Sequence, residues 1–276
     1  MKKSAFVMAL AAVVALMAAG TAKADWTPAQ LDTPPFAWYD ASDPGTLHTN
    51  DAAGFVSQWD DKSGNGYHLV QTSQALQPAT GTRNIGGRNV LDFSTDYMTN
   101  NFGTTYSQPL TGVVVFQNDS FAAFNVLSDG LTAGQRFNLW FQESGGDQYA
   151  LHAGGASSLY GTNPRPNTSP HVWSALANGA SSLYCTDGAT NVTGSVGTDS
   201  LGGMVIGEHN SLGGYYYDGA VGEYIMLGTD SLEDRQKVEG YLAHKWGLEG
   251  NLPAGHPYKS SPPQGAATPG TLIYGK

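Results

Sequence analysis

Apolar residues recur along most of the chain in short runs, broken by Gly, Asn, Asp and Pro. The runs FAWYDA (Phe36–Ala41), NVLDF (Asn89–Phe93), TGVVVFQ (Thr111–Gln117) and RFNLWFQ (Arg136–Gln142) each predict a β-strand. So do HVWSALA (His171–Ala177), SSLYCTD (Ser181–Asp187), GMVIGE (Gly203–Glu208) and YYYDGAVGEYIML (Tyr215–Leu227). Asn178-Gly179 predicts a type I′ hairpin between two of these runs, and Asp187-Gly188 turns the second into a further strand. Sequential antiparallel hairpins with alternating faces predict two packed sheets. No period repeats along the chain, which argues against a solenoid or a propeller.

One segment follows a helical period instead. Val238, Tyr241, Leu242 and Trp246 fall on one face at i, i+3, i+4 and i+8. Ser231 is a natural N-cap, and Asp234 three residues on imitates a capping box. Glu233 and Asp234 suit the positive end of the helix dipole. Lys245 closes the last turn, and Gly247 followed by Leu248 reads as a left-handed stop. The expectation is a helix over about residues 231–247 that covers the outer face or an open end of a sandwich. His244 and His256 do not stand at i, i+4 to another histidine, so both read as structural rather than metal-binding.

Composition sharpens the picture. Thirty-six Gly and 14 Pro with only 13% charged residues fit many turns and short strands. Lys2 and Lys3, an apolar run from Ala5 to Ala19, and Ala22-Lys23-Ala24 read as a secretory signal peptide over residues 1–24. Cleavage would leave Asp25 first and an exported protein, extracellular or periplasmic, with no membrane insertion. Without Lys2, Lys3 and Lys23, the net charge becomes −13, which argues against nucleic acid and anionic membranes as partners. Cys185 is the only cysteine, so no intramolecular disulfide forms. Any supporting metal is then expected on oxygen ligands. Residues 260–276 read as a Pro/Gly-rich tail.

Three stretches resemble a known group. HVWSALANGASSLYCTDGAT resembles the laminin-G-like pattern of Trp, apolar strand, Asn-Gly turn, Leu-Tyr strand and Asp-Gly turn. VIGEHNSLGGYYYDGAVGEYIMLGTDSLEDRQKVEGYLAHKWGL is similar to that family's closing strands and helix, and WYDASDPGTL with VSQWDDKSGNGYHLVQ to the start of bacterial members. The resemblance spans Phe36 to Tyr258. It implies an all-β fold, a concanavalin A-like two-sheet antiparallel β-sandwich (jelly roll) with one C-terminal helix. It also implies a choice among glycan-binding, adhesion and structural roles, with calcium at the sandwich rim in many relatives.

Four constellations could carry chemistry. Asp40, Asp43, Asn50, Asp51, Asp60, Asp61 and Asn65 form an oxygen-rich segment able to bind Ca2+, although DDKSGNG lacks the EF-hand pattern and also suits plain turns. Glu208 and Glu223, on strands expected to be neighbours, could form a glycosidase pair. Strict alternation puts Glu223 with Val221 and Ile225, and a bulge near Gly222 would change its face. His209 and Tyr215–Tyr217 with Arg136 and Arg165 could form a uronate lyase site. Finally, Tyr215, Tyr216 and Tyr217 are consecutive and cannot all face the core, so an exposed aromatic platform beside His209, Asn210 and Ser211 is expected. Trp38, Trp59 and Trp173 read as core, whereas Trp140 fits its strand's alternation less clearly. No phosphate loop, Gly-x-Ser-x-Gly elbow or partnered Cys nucleophile occurs. The sequence therefore favours non-catalytic recognition of a polysaccharide or glycoconjugate, through Glu208, His209, Asn210, Tyr215 and Tyr216, with assistance from calcium. A polysaccharide-degrading hydrolase or lyase and a structural subunit of an envelope or particle are the rivals.

Overall fold

The computed structural model describes residues 25–50, 54–120, 125–142, 148–155, 158–161 and 167–265. The segment read as a signal peptide (residues 1–24), Asp51, Arg165 and the tail beyond Gly265 lie outside the described residues. Within them, no helix is long and apolar enough to cross a membrane.

Two antiparallel sheets pack face to face. The first runs Ala189–Gly194, Ser182–Thr186, His171–Ala177, Leu110–Asn118, Gly219–Leu227, Arg88–Phe93 and Ala79–Ile85, with Ala37–Asp40 also paired to Gly219–Leu227. The second runs Leu159–Gly161, Gln148–His152, Asn138–Gln142, Asn125–Gly130, Leu201–Ile206, Met98–Tyr106, Leu69–Val70, Val56–Trp59 and Leu47–Thr49. Between them lies an aromatic core that includes Phe116, Phe141, Tyr149, Trp173 and Tyr184.

The expected two-sheet sandwich and its single α-helix are both present, the helix spanning Leu232–Trp246. It lies over the outer face of the first sheet. Val238, Leu242 and Trp246 pack there with Val113, Val115, Val172 and Ile225, while Val114, Phe116 and Tyr224 face the inter-sheet core. Central strands covered on both sides need no polar phase. That is why TGVVVFQ and the Gly219–Leu227 strand are apolar almost throughout. The Ser231 hydroxyl accepts the Asp234 N–H at 3.1 Å, and Gly247 takes a left-handed φ of 69°. The other leg of the cap differs from expectation: the Thr229 hydroxyl accepts the Ser231 N–H at 3.1 Å.

The two hairpin signals diverge. Asp187 and Gly188, at φ 51° and 78°, form the two-residue turn between Ser182–Thr186 and Ala189–Gly194. At Asn178-Gly179 the type I′ expectation fails. Asn178 sits at φ −152°, and Gly179–Ser181 make a 3-10 turn instead. The Ser182 hydroxyl accepts the Asn178 N–H at 2.8 Å, which holds Asn178 out of the left-handed region.

Beneath the helix lies a buried charge network. A bulge at Gly222 leaves Val221 facing inward and turns Glu223 to the helix side. A Cβ on Gly222 would sit 2.8 Å from the Trp246 ring, so the bulged residue must be glycine for the ring to close over it. The Glu223 carboxylate accepts from both indoles, Trp38 Nε1 at 2.7 Å and Trp246 Nε1 at 2.9 Å. It also accepts from Lys245 Nζ at 2.6 Å and the Tyr241 hydroxyl at 3.2 Å. Lys245 reaches on to Asp40 at 2.7 Å, and Lys62 joins Asp40 and Asp43 at 3.0 and 2.8 Å. Near the other end of the helix, buried Glu239 accepts from Arg235 at 2.6 Å, from the Ser174 hydroxyl and from His256 Nε2 at 3.1 Å. His244 Nε2 donates to the Tyr258 carbonyl at 2.8 Å. Both histidines thus tie the C-terminal strap to the helix.

Removing one partner from a buried ion network leaves uncompensated charge, at about 3–5 kcal/mol. Glu223→Ala is expected to lose stability on that scale in urea unfolding. Asp40 gives a pH signature. Burial alone would raise its pKa, but Lys245, Ser42 and Lys62 outweigh it and hold the carboxyl below its ordinary value. Such a group stabilises the fold above its unfolded pKa, and the contribution is lost as pH falls through its folded value. The stability gap between wild type and Asp40→Asn should therefore be widest at neutral pH and close in acid.

Candidate functional site

The outward face of the second sheet carries a groove of about 380 Å³. Strand alternation builds it. Leu139, Phe141, Tyr149, Leu151 and Leu159 point inward to the core, so their neighbours Asn138, Trp140, His152 and Tyr160 line the groove. A bulge in Asn125–Gly130 pairs Ser128 with Leu139 and Val126 with Trp140, leaving Leu127 as the extra residue. Ser128 then meets the Tyr224 hydroxyl inside the sandwich at 2.9 Å, and Asp129 reaches Arg136 at the groove.

The loop after Leu201–Ile206 supplies the remaining wall. Its base is staked twice. The Gly214 N–H donates to Glu208 Oε1 at 2.9 Å, and Tyr217 is fully buried with its hydroxyl donating to the Gln117 carbonyl at 2.9 Å. Tyr215 is 43% exposed and Tyr216 half-buried, so the three tyrosines divide between solvent and core as their spacing requires. His209 and Tyr215 pack edge to face at 5.5 Å, and both line the groove.

Behind them sits an ion pair. Arg136 donates to Asp129 from Nε at 3.2 Å and from its terminal nitrogen at 2.8 Å, and to His209 Nε2 at 2.9 Å. Asp129 is fully buried and also accepts the Gly130 and Asn210 N–H groups, at 2.8 and 3.3 Å. A guanidinium cannot accept, so His209 Nε2 is the acceptor of that bond, while Nδ1 lies 3.0 Å from the Ser211 hydroxyl and 3.2 Å from the Ser211 N–H. Burial lowers the His209 pKa, Asp129 opposes this, and Arg136 and His152 reinforce it, for a net shift below 6.5.

Of the residues singled out from the sequence, Arg136, His209 and Tyr215 reach the groove. Asn210 contributes its backbone N–H to Asp129, Glu208 is buried at the foot of the loop, and Tyr216 lies off the lining. The paired-carboxylate arrangement is corrected. Glu208 follows a strand of the second sheet, whereas Glu223 lies in the first sheet beneath the helix, so they share no cleft. Asn138, Trp140, His152, Tyr160 and Asp129 were not singled out as ligand-binding. Large aromatics on the polar phase of an alternating strand, as at Trp140 in RFNLWFQ, were the available signal.

The acidic N-terminal segment is occupied by protein partners. Asp61 accepts the N–H groups of Trp38, Ser63 and Tyr67 at 2.9, 2.9 and 3.1 Å, and Lys62 and Lys245 take Asp40. Among the described residues, no group of three or more His, Cys, Asp or Glu side chains is placed to hold a metal.

No known protein-family model matches the chain, and neither does any curated protein sequence. Solved structures do match in fold. A GH54 α-L-arabinofuranosidase soaked with 4-nitrophenyl α-L-arabinofuranoside superposes with a TM-score of 0.51 at 14% identity, over 75% of this chain and 58% of that one. A Trypanosoma rangeli sialidase in complex with 2,3-difluorosialic acid gives 0.50 at 11% identity, over 77% and 35%. The chain thus spans little more than half of the first and about a third of the second. These likenesses carry the β-sandwich fold alone.

Arg136→Ala would leave Asp129 buried and uncompensated, with an expected loss of about 3–5 kcal/mol in denaturant unfolding. His209 should titrate below 6.5 by NMR. A histidine with a depressed folded pKa destabilises the fold as pH falls through its unfolded value. His209→Gln should therefore reduce the acid sensitivity of unfolding.

Proposed function

We propose that this protein is an exported, non-catalytic carbohydrate-recognition module that takes its ligand in the groove of the second sheet. The observation that carries the reading is the convergence there of Trp140, Tyr160 and Tyr215 with Asn138, Ser158 and His209. Aromatic faces stack on the apolar faces of sugar rings, and a few placed polar groups set orientation. Support also comes from the fold neighbours, whose names are those of glycoside-acting enzymes. The laminin-G-like resemblance and the leader pattern point the same way. No carboxylate stands among the described lining residues, which favours binding over glycosidase chemistry.

A second reading has one observation behind it. His209, Tyr215 and Arg136 converge as a uronate lyase would need. Against it, both His209 ring nitrogens are already engaged, by Arg136 and Ser211.

The test is retention on immobilised polysaccharides, with calcium and with chelator, while the same samples are assayed for new reducing ends and unsaturated uronates. Retention without product is the expected result. Tyr215→Ala and Trp140→Ala should each weaken it roughly tenfold with the fold intact. Chelator-sensitive retention would add calcium to the site. Product formation would replace the module reading by an enzymatic one, and silence on every polymer would favour a structural subunit.

A further inference from the structure

Resting on that reading, we propose that the groove selects an uncharged saccharide and rejects carboxylated polymers. Arg136 is the only fully cationic side chain among the described lining residues. Its charge is matched before any ligand arrives. Asp129, with no exposed side-chain surface, takes two of its donor nitrogens, and His209 Nε2 takes a further bond from one of them. His209, accepting from a guanidinium, is itself neutral at physiological pH. The wall therefore offers no free positive charge to a uronate. Around it the chain carries a formal net charge of −10, which repels polyanions at long range.

What the wall does offer suits hydroxyls. Tyr160 and Tyr215 are 40% and 43% exposed, and Trp140 packs edge to face on Tyr160 at 5.9 Å. Asn138 is 3% exposed, yet its Oδ1 has no partner among the described residues. None of the described residues uses this amide oxygen, so the amide can turn to meet a ligand. A sugar hydroxyl both donates and accepts and can satisfy either end of an amide. An ionised carboxylate only accepts, so it matches the amide nitrogen alone.

The experiment is affinity electrophoresis or calorimetry of the full-length protein against neutral arabinan, xylan and galactan and against polygalacturonate and alginate. Each is run at about 50 mM and about 500 mM NaCl, a range over which charge-driven binding is strongly screened. Binding to at least one neutral polymer, changed less than about twofold by salt, is expected, with the acidic polymers unbound. Asn138→Ala should weaken neutral binding by about tenfold, the scale of one lost ligand hydrogen bond. Asp129→Asn, which uncovers the Arg136 charge, should gain polygalacturonate binding that wild type lacks. Should that variant not fold, the wild-type panel still decides. Binding confined to acidic polymers, or neutral binding that salt abolishes, overturns the inference and leaves carbohydrate recognition standing. Binding to none of the polymers overturns both.

Discussion

The architecture turns on one carboxylate placed where water cannot reach it. Glu223 sits in an apolar layer between sheet and helix, and an isolated charge there would be expelled or neutralised. It persists because four donors from two other elements, the Ala37–Asp40 strand and the helix, converge on it: two indoles, an ammonium and a phenol. A purely hydrophobic seam would let the helix slide or rotate. Directional bonds to Trp38, Tyr241, Lys245 and Trp246 fix one register, as buried polar groups do in helical assemblies where they specify pairing.

That anchoring divides the two sheets by role. The central strands of the first sheet are enclosed on both faces and form a framework. The second keeps an open face, and its alternating strands can spend their outward positions on Asn138, Trp140, His152 and Tyr160 without disturbing the core. Most of the described lining of the groove rises from paired strands, and the loop after Leu201–Ile206 is pinned through Glu208 and Tyr217. Positions held by strands and buried stakes arrive preorganised, which lowers the ordering penalty of binding.

The fold was legible because periodicity survives in the sequence. The apolar runs located the main strands, and the caps located the helix to within a residue or two. Short edge strands such as Leu47–Thr49 and Leu159–Gly161 carry too few residues to show a period. The groove was only half legible. Consecutive tyrosines announce their own conflict, so Tyr215 could be found. Trp140 and Tyr160 become site residues only when their strands flank the Gln148–His152 strand, opposite Ala150, and that pairing is not written in any local pattern. The Glu208–Glu223 pairing failed for a related reason. Closeness along the chain does not assign strands to one sheet, and Gly207–Asp218 crosses from the second to the first. At Asn178 the local Asn-Gly signal yielded to a side-chain bond from four residues on.

Asp25 and Gln264 meet in an isolated antiparallel bridge, and both border the cleft formed with Tyr241, His244 and Lys245 of the helix. The two ends of the described chain thus lie side by side on the helix-covered side, with the sandwich between them and the groove. Anything attached at either point would stand on the far side of the molecule from Trp140 and Tyr215, and would leave the groove unobstructed.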